Sequence, residues 1–422
     1  MPGFSPLDEE LALLPGQLSP SLHEAVVRLG SWIPFRRVPQ ECRAFLRTTV
    51  SAETARRLTE AAGAALVRAE DATVDQRARD LSEPPEGPVL QQLSADGAMV
   101  PLRHGVWAEV KTLAIGRVEP SEPTKGAATT RTTVTAYFSR LADAARFGYL
   151  ATYATHAAGT SRAGTVCAVV DGAPWLQEFI DLHRPDAVRI LDFPHAAEHL
   201  GQAAEATFGA GNPAAATWLT QQCHELKHGD PEQVLASVAN LAPPTPAGSQ
   251  RVTQVYRYLA NRREQIADAT FRAAGYPIGD GMVESANKLV VEARLKGSGM
   301  HWVRANVNPM VALRAAVCSD QWDVAWGLLT RERRHSQAER GRHRRAARAG
   351  LASPPVIPPP PPPRVARSKP SESRLVVNGK PTAEHPWRRF RLPIAPLPSG
   401  RKMLRRTLRA ASTRKNPSTL LE

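Results

Sequence analysis

The chain has 422 residues, 42% of them hydrophobic, which is ordinary for a folded protein of two or three domains. No apolar run approaches the ~20 residues that span a bilayer, and the N-terminus does not resemble a secretory signal, so a membrane partner is not expected. The four cysteines are Cys42, Cys167, Cys223 and Cys318. They form no C-x-x-C pair, which argues against a thiolate zinc site and favours a reducing cytoplasm.

The positive charge is concentrated at one end of the chain. The net charge is +14, but residues 331–422 carry 23 Lys+Arg and 5 Asp+Glu, a net +18, whereas residues 1–330 carry a net −4. A basic segment of this kind favours a polyanionic partner, most often nucleic acid. The alternative is a disordered tail that only increases solubility.

The first 85 residues are predicted to be helical. The segment "PQECRAFLRTT" is followed by "VSAETARRLTEAAGAALVRAE", in which Ser51 is a candidate N-cap. A helix, a short turn and a second helix carrying Arg56 and Arg57 have the order of a DNA-binding helix-turn-helix. Such helix pairs are as often plain packing units, and the sequence leaves both interpretations open.

A mixed α/β region is predicted for residues 86–195. Three β-rich segments are followed by a helix, a buried strand ending at Asp171, a second helix and a buried strand ending at Asp192. Residues 196–274 are nearly all helical, and residues 275–330 supply closing helices. The polyproline run "PPVIPPPPPPR" and its basic surroundings predict a disordered tail over residues 331–422.

Two aspartates occupy the same local sequence. "LSADGA" places Asp96, and "AVVDGA" places Asp171, at a predicted strand end next to a glycine. A single Asp-Gly pair is usually a turn. Two of them on strands of one sheet suggest carboxylates that converge and need a cation, and Mg²⁺ prefers such oxygen ligands. Glu284, near the start of a later helix, is the candidate for a third ligand, although Glu at a helix N-terminus also favours the helix dipole.

Several motifs in the right order resemble bacterial insertion-sequence transposases of the ISKra group, which is related to the Mutator-like DDE superfamily. They are "LSADGAMVPL…GVWAEVKTLAIG", "VVDGAPWLQEFI", "DFPHAAEHL" and "PIGDGMVESANKLVVEARLKGSGMHW", and the resemblance covers roughly residues 3–329. It implies an RNase H-like α/β fold interrupted by an all-helical insertion. It also implies Asp96, Asp171 and Glu284 as the catalytic, metal-binding triad, with Asp192 and His195 as a D-x-x-H motif beside it.

The resemblance further implies strand cleavage and strand transfer on double-stranded DNA, at terminal inverted repeats and at a target. Two Mg²⁺ ions are the expected cofactors, Mn²⁺ being a possible substitute. The expected location is the bacterial cytoplasm near the nucleoid, with at least a dimer when active. His195 could instead cap a strand-to-helix turn, and Asp280 or Glu292 could be mistaken for the third ligand.

Six residues are candidate DNA contacts: Arg56, Arg57, Lys288, Arg294, Lys296 and Trp302. The basic side chains would contact phosphates and Trp302 would stack on a base. A solvated helix face would explain the basic residues equally well, and Trp302 is as reasonably a core anchor.

One departure from the group opens an alternative function. Its members carry a cysteine-rich segment before the motif "GFSPLDEELALLPG", which here starts at Gly3. The chain could therefore be a truncated, inactive relative that binds DNA as a repressor of transposition. A structure-specific nuclease on the same fold is a third, weaker possibility.

Overall fold

The computed structural model describes residues 18–120 and 130–351, and also two short strands, Val376–Val377 and Lys380–Pro381. The residues up to Leu351 belong to one compact unit, and the two short strands belong to a second, in which they pair antiparallel. The polyproline run and most of the basic tail lie outside the described residues.

Within residues 18–89, three helices precede the sheet: α1 (Pro20–Trp32), α2 (Val38–Leu46) and α3 (Ala52–Asp80). The side chain of Ser51 accepts a hydrogen bond from the backbone N–H of Thr54, so the predicted N-cap of α3 is confirmed. α2 ends at Arg47, whose φ of 52° lies in the left-handed region and turns the chain toward α3.

Five strands form one mixed sheet: β1 (Leu90–Pro101), β2 (Trp107–Pro120), β3 (Thr130–Arg140), β4 (Thr165–Val170) and β5 (Val188–Leu191). Their order is β3-β2-β1-β4-β5; the first three pair antiparallel, and β4 is parallel to both β1 and β5. The predicted mixed α/β sheet is therefore confirmed, and β1 lies beside β4.

One face of the sheet packs on α4 (Ala144–Ala157) and α5 (Pro174–His183). Leu93 and Ala95 of β1 point to this face, together with Phe147 of α4 and Leu176 of α5. Because successive strand residues point to opposite faces, Asp96 and Ala98 point to the other side.

The other face of β1 and β2 is covered by α11 and α12. α11 is one continuous helix whose turns differ: α-helical over Gly281–Ala286, π-helical over Asn287–Glu292 and α-helical over Ala293–Leu295. α12 spans Arg304–Cys318. Val290 and Val291 of α11 pack on Ala98 and Val100 of β1, and this apolar contact fixes α11 over the sheet.

Between β5 and α11 the chain forms five helices: α6 (Phe193–Phe208), α7 (Pro213–His228), α8 (Pro231–Ala239), α9 (Pro246–Ala260) and α10 (Asp268–Ala273). The first four share an apolar cluster of their own, in which Leu200 of α6 packs with Leu226, Val234 and Val255. This helical segment is joined to the sheet at Leu191, which belongs to the same cluster.

α3 is a packing helix embedded in the unit. A Cβ at Gly63 would collide with the backbone of Pro309 in α12, so the two helices approach closely at this glycine. Glu70 of α3 forms a buried ion pair with Arg140 at the end of β3. A recognition helix needs a face open to the DNA groove, whereas α3 is covered by α1, α12 and the helix that follows α12. Of the two interpretations of residues 38–80, the packing unit fits these contacts better.

The last long helix, α13, spans Trp322–Leu351. The prediction that the disordered tail starts at residue 331 is therefore wrong for its first 21 residues, 331–351, which continue this helix. Glu332 forms an ion pair with Arg68 of α3 at 3.0 Å, and Arg333 donates a hydrogen bond to the ring of His23. These contacts fasten the start of the basic segment to the N-terminal helices.

Candidate active site

Strand register brings three aspartates to one level of the sheet. β1 and β4 pair with Leu93 opposite Ala168, and continuing that parallel register sets Asp96 level with Asp171. β4 and β5 pair with Val170 opposite Leu191, which sets Asp171 level with Asp192. Neighbouring strands lie ~4.8 Å apart, and residues level in a parallel pair point to the same face. The sequence predicted that Asp96 and Asp171 converge, and the strand register places Asp192 at the same level.

α11 adds two polar residues to this row. Asn287 donates from Nδ2 to Oδ2 of Asp96 at 2.8 Å. The backbone N–H of Asp280, just before α11, donates to Oδ1 of Asp192 at 2.8 Å. Asp96, Asp171, Asp192 and Asp280 are called the acid edge below.

Asp192 is held mainly by backbone groups. It is 3% exposed, and its Oδ2 accepts from the N–H of His195 at 3.0 Å as the N-cap of α6. The strand-to-helix turn is thus capped by the side chain of Asp192, and not by His195, which contributes only its backbone N–H. Burial raises the pKa of Asp96, and a positive charge on the nearby ring of His195 would oppose that rise only in small part.

The pKa values of Asp280, Asp96 and Asp192 are raised. Burial, followed by the negative charges of Asp192, Asp96 and Asp171, raises the pKa of Asp280 to about 8. Burial also raises the pKa of Asp96 and that of Asp192, although the N–H of Gly97 opposes the shift at Asp96. Carboxylates placed so close together cannot all stay ionised without a cation.

Glu284 stands apart from the acid edge. Its side chain is 64% exposed, and its carboxylate pairs with the ammonium of Lys288 at 2.5 Å. Asp280 lies four residues earlier, just before α11. Its charge interacts with those of Asp96, Asp171 and Asp192. Glu292 is likewise paired, with Lys296 at 2.5 Å.

The loop that carries Asp171 is clamped by α9 of the helical segment. The hydroxyl of Tyr258 donates to the carbonyl of Asp171 at 2.5 Å, and Nη2 of Arg262 donates to the carbonyl of Gly172 at 2.7 Å. The guanidinium of Arg262 stacks 4.0 Å from the centroid of the Tyr258 ring. Gly172 has a φ of 79°, which only glycine adopts readily. The side chain of Asp171 also accepts from the N–H of Ala173 at 2.9 Å through Oδ1.

Two of the six candidate DNA contacts do not fit the structure. Arg294 is 2% exposed, donates to the carbonyl of Gly30 and lies over the rings of Phe35 and Trp302. Trp302 is 7% exposed, and its indole N–H donates to the carbonyl of Leu295 at 3.1 Å. Both side chains are internal packing groups, so the assignment of a phosphate contact and a stacking platform to them is corrected.

The other four candidates are at the surface, and three of them are paired. Arg56 bridges Glu53 and Glu60, and Lys288 and Lys296 pair with glutamates of α11. Arg57 is exposed and, among the described residues, has no carboxylate within 4.0 Å.

The donor chemistry at the acid edge fits a hard divalent cation. Every acidic donor is a carboxylate oxygen, and Oδ1 of Asn287 is buried without a hydrogen-bond partner among the described atoms. Within residues 18–120 and 130–351, no three His, Cys, Asp or Glu side chains converge as closely as the ligands of one bound ion do. The acid edge therefore fits a divalent cation in its backbone register and in its charge. Its side chains would have to rotate to coordinate one ion together.

Sequence reasoning missed three residues of this site, Asn287, Tyr258 and Arg262. Asn287 lies seven residues after Asp280, a spacing of two helical turns that returns it to nearly the same side of the helix. Tyr258 and Arg262 are four residues apart in a segment without catalytic motifs, and no sequence signal connects them to Asp171.

No family model matches the chain, and no curated protein matches it. In the part of the chain that the structure describes, no helix has the length and apolar character needed to cross a membrane. The function is therefore inferred from the geometry of the acid edge.

Proposed function

We propose that the protein is a DDE transposase, an enzyme that cleaves DNA strands and transfers their ends with two divalent metal ions. The observation that carries the proposal is the row of aspartates at one level of three neighbouring strands, Asp96, Asp171 and Asp192. A pKa of about 8 at Asp280 supports it, because a carboxyl cluster held together at such electrostatic cost commonly marks a functional site.

The strand order also supports the proposal. Three antiparallel strands followed by two parallel ones, in the order β3-β2-β1-β4-β5 with helices on both faces, is the arrangement expected of an RNase H-like catalytic domain. The helical segment 193–273 then corresponds to the insertion that the resemblance to ISKra transposases implies. DNA is the proposed substrate, at least a dimer is the proposed active form, and the nucleoid is the proposed location.

The roles of the residues follow from their positions. Asp96 is fixed within β1, and Asn287 takes one lone pair of its Oδ2 and so orients the carboxylate. Oδ1 of Asp171 accepts a hydrogen bond from the N–H of Ala173, which leaves Oδ2 for a ligand. Two bound Mg²⁺ ions would hold the scissile phosphodiester, activate the attacking water or 3′-hydroxyl and stabilise the leaving oxygen. Without a cation, Asp280 holds a proton near neutral pH and so limits the repulsion within the row.

The third carboxylate is proposed to come from the start of α11. Glu284 lies about 40° around the helix from Asp280 and about 60° from Asn287, since each residue turns an α-helix by ~100°. Its pair with Lys288 is exposed to solvent and so contributes little to stability, and a cation could draw the side chain toward the acid edge. Asp280 is the competing candidate, because it already interacts with Asp96.

The test is a strand-cleavage assay on duplex DNA that carries the repeats flanking the gene, with Mg²⁺ and with EDTA. Asp96→Asn and Asp171→Asn should each lower cleavage by more than about 100-fold, because even residues that only hydrogen-bond to a metal ligand contribute about 10–100-fold. DNA binding should stay within a factor of about two, since neither carboxylate contacts a phosphate directly. Asp323→Asn, a change at an exposed aspartate of α13, is the matched control.

Glu284→Gln and Asp280→Asn, compared in the same assay, identify the third ligand: the variant with the larger loss marks it. Metal-independent cleavage, or near-normal cleavage by Asp96→Asn, would contradict the proposal. Binding to the repeats without any cleavage would instead support the truncated repressor. Cleavage of branched DNA without transfer of the ends would support the nuclease.

A further inference from the structure

A basic groove lies beside the C-terminal ends of α11 and β1, away from the acid edge. It has a volume of about 830 Å³, and Phe35, Arg36, Arg56, Arg103, Arg294 and Trp302 are among the residues that line it. Arg36 comes from the α1–α2 connection, and Arg103 from the tip of the β1–β2 hairpin. Parts of the chain that are distant in sequence therefore build one concave, mainly basic surface.

Backbone hydrogen bonds fix the groove relative to the sheet. The N–H of Trp302 donates to the carbonyl of Pro101 at 3.0 Å, and the N–H of Arg103 donates to the carbonyl of Trp302 at 2.9 Å. The segment after α11 is thereby tied to the hairpin tip, where Trp107 is 56% exposed. The position of the groove does not depend on a free loop.

The groove and the acid edge are separated along both α11 and β1. On α11, Asn287, which contacts Asp96, precedes Leu295 by about 12 Å and Asp280 precedes it by about 22 Å, since each helical residue advances ~1.5 Å. The seven residues from Asp96 to Arg103 span at most about 23 Å of extended chain. One strand of a DNA duplex covers about 23 Å in about seven nucleotides, since its charges are spaced ~3.4 Å apart.

The charges of the groove favour an anion. Arg36 and Arg103 are exposed, and among the described residues no carboxylate lies within 4.0 Å of either guanidinium. Arg56 forms ion pairs with both Glu53 and Glu60, so the arginines that line the groove outnumber its glutamates. Burial lowers the pKa of Arg294 to about 10, so it stays protonated near neutral pH and adds to the positive potential of the groove floor.

We propose that this groove binds the sugar–phosphate backbone of the DNA duplex whose scissile phosphate lies at the acid edge, with Arg36 and Arg103 contacting phosphates. The inference rests on the proposed function and adds to it a second contact point within about seven base pairs of the chemistry. A duplex laid along α11 would meet Lys288 on the way, at the exposed surface of that helix.

The test is the affinity of the full chain for a fluorescein-labelled 30-bp duplex of arbitrary sequence, measured by anisotropy across a salt series. Arg36→Ala/Arg103→Ala should weaken binding about tenfold at 100 mM salt and reduce the slope of log affinity against log salt by about 1.8, since each phosphate contact contributes ~0.9. Arg251→Ala/Arg257→Ala removes the same charge from the exposed surface of α9 and should change the slope far less.

An unchanged slope in the groove variant, or an equal change in the α9 control, would overturn the assignment. Circular dichroism of each variant shows whether it is folded, and Arg36→Lys/Arg103→Lys, which keeps the charge, should restore most of the salt slope. Wild-type protein that binds the duplex through the groove but never cleaves DNA with Mg²⁺ would refute the transposase and leave the groove in place. If the wild-type protein cleaves DNA but the groove variant binds the duplex normally, the groove assignment would be refuted and the transposase proposal would stand.

Discussion

The two ends of α11 carry opposite charges, and the charges are placed differently at each end. At the acid edge, Asp96, Asp171, Asp192 and Asp280 interact with one another while burial raises the pKa of three of them. At the basic groove, Arg36 and Arg103 are exposed to water and lie on separate segments of the chain. Clustering buried like charges opposes folding, whereas solvated, separated charges cost little.

This difference separates two roles. Charged groups that lower the stability of the fold indicate a catalytic site, because catalytic groups need environments that stability alone would not favour. Charged side chains that are solvated and well separated indicate a surface that binds a partner of opposite charge. On this view the acid edge determines whether a strand is cut, and the basic groove determines how tightly and in what position the duplex is held.

The largest effect is expected where the helical segment clamps the acid edge. Gly172→Ala places a Cβ 2.6 Å from Nε of Arg262 and 2.9 Å from the hydroxyl of Tyr258, in a backbone with φ of 79°. We expect a loss of about 3 kcal/mol in the free energy of unfolding, measured by urea denaturation, because the left-handed conformation costs about 1 kcal/mol and the collision adds to it. Cleavage should fall as well, since Asp171 would shift.

Gly275→Ala is the matched control for this substitution. Gly275 has a φ of 76°, but a Cβ there would meet no atom within 4 Å. The variant should therefore lose only the ~1 kcal/mol of backbone strain. Equal losses in the two alanine variants would show that the clamp does not constrain the Asp171 loop.

A smaller effect is expected from charge at the acid edge, and it depends on pH. The pKa of Asp280 is raised from 3.8 to about 8, so the folded state favours the protonated carboxyl. This group does not oppose folding below about pH 4, opposes it increasingly as the pH rises, and has its full effect above about pH 8. Asp280→Asn should therefore gain stability relative to wild type at pH 8, by about 2 kcal/mol, and show no gain at pH 4.

Thermal unfolding followed at pH 4, 6 and 8 measures this prediction. Glu178→Gln, a change at an exposed acid of α5, should give a stability curve parallel to that of the wild type. Mg²⁺ should reduce the difference between wild type and Asp280→Asn at pH 8, since a bound cation favours the ionised cluster. A gain that is the same at all three pH values would show that the carboxyl does not titrate in this range.

The first half of the acid edge could be predicted from the sequence. Asp171 directly follows the apolar strand β4, as expected, whereas Asp96 lies inside β1, which continues to Pro101, and the parallel register sets the two aspartates level. The helical nature of residues 193–273 could also be read from composition and periodicity. These are local signals, and the local structure follows them.

The second half depends on contacts that no local pattern encodes. The π-helical turn over Asn287–Glu292 closes wider hydrogen-bonded turns, so later residues are rotated from the positions that a regular α-helix would give them. Arg294 follows this turn and is directed inward, toward Gly30. Trp302 is buried by Phe35 and the hairpin tip, both far from it in sequence.

The start of the basic tail was misplaced for a similar reason. The segment after Leu329 loses its apolar periodicity, and a stretch of arginines with so few apolar residues reads as disordered from composition alone. α13 nevertheless continues through it to Leu351, supported at its start by Glu332 with Arg68 and by Arg333 with His23. The ion pair and the hydrogen bond with the N-terminal helices stabilise the start of this segment, which lacks an apolar face.

The smallest effect is expected from the single hydroxyl that links α9 to the acid edge. Tyr258→Phe keeps the ring stacked between His199, at 3.9 Å, and Arg262, at 4.0 Å, and removes only the hydrogen bond to the carbonyl of Asp171. We expect a loss of about 1 kcal/mol in stability, typical of one hydrogen bond.

The same variant should weaken Mn²⁺ binding, measured by the paramagnetic signal of the free ion, about tenfold, in the range seen when a ligand's supporting partner is removed. Tyr276→Phe, at a tyrosine whose ring packs with Cys167 and Val169 in a different cluster, is the control for removal of a hydroxyl. If Tyr258→Phe lowers stability but leaves Mn²⁺ affinity unchanged in a protein that binds the ion, the hydroxyl contributes to packing alone. If it lowers both, the helical segment holds Asp171 in the position from which it binds the metal.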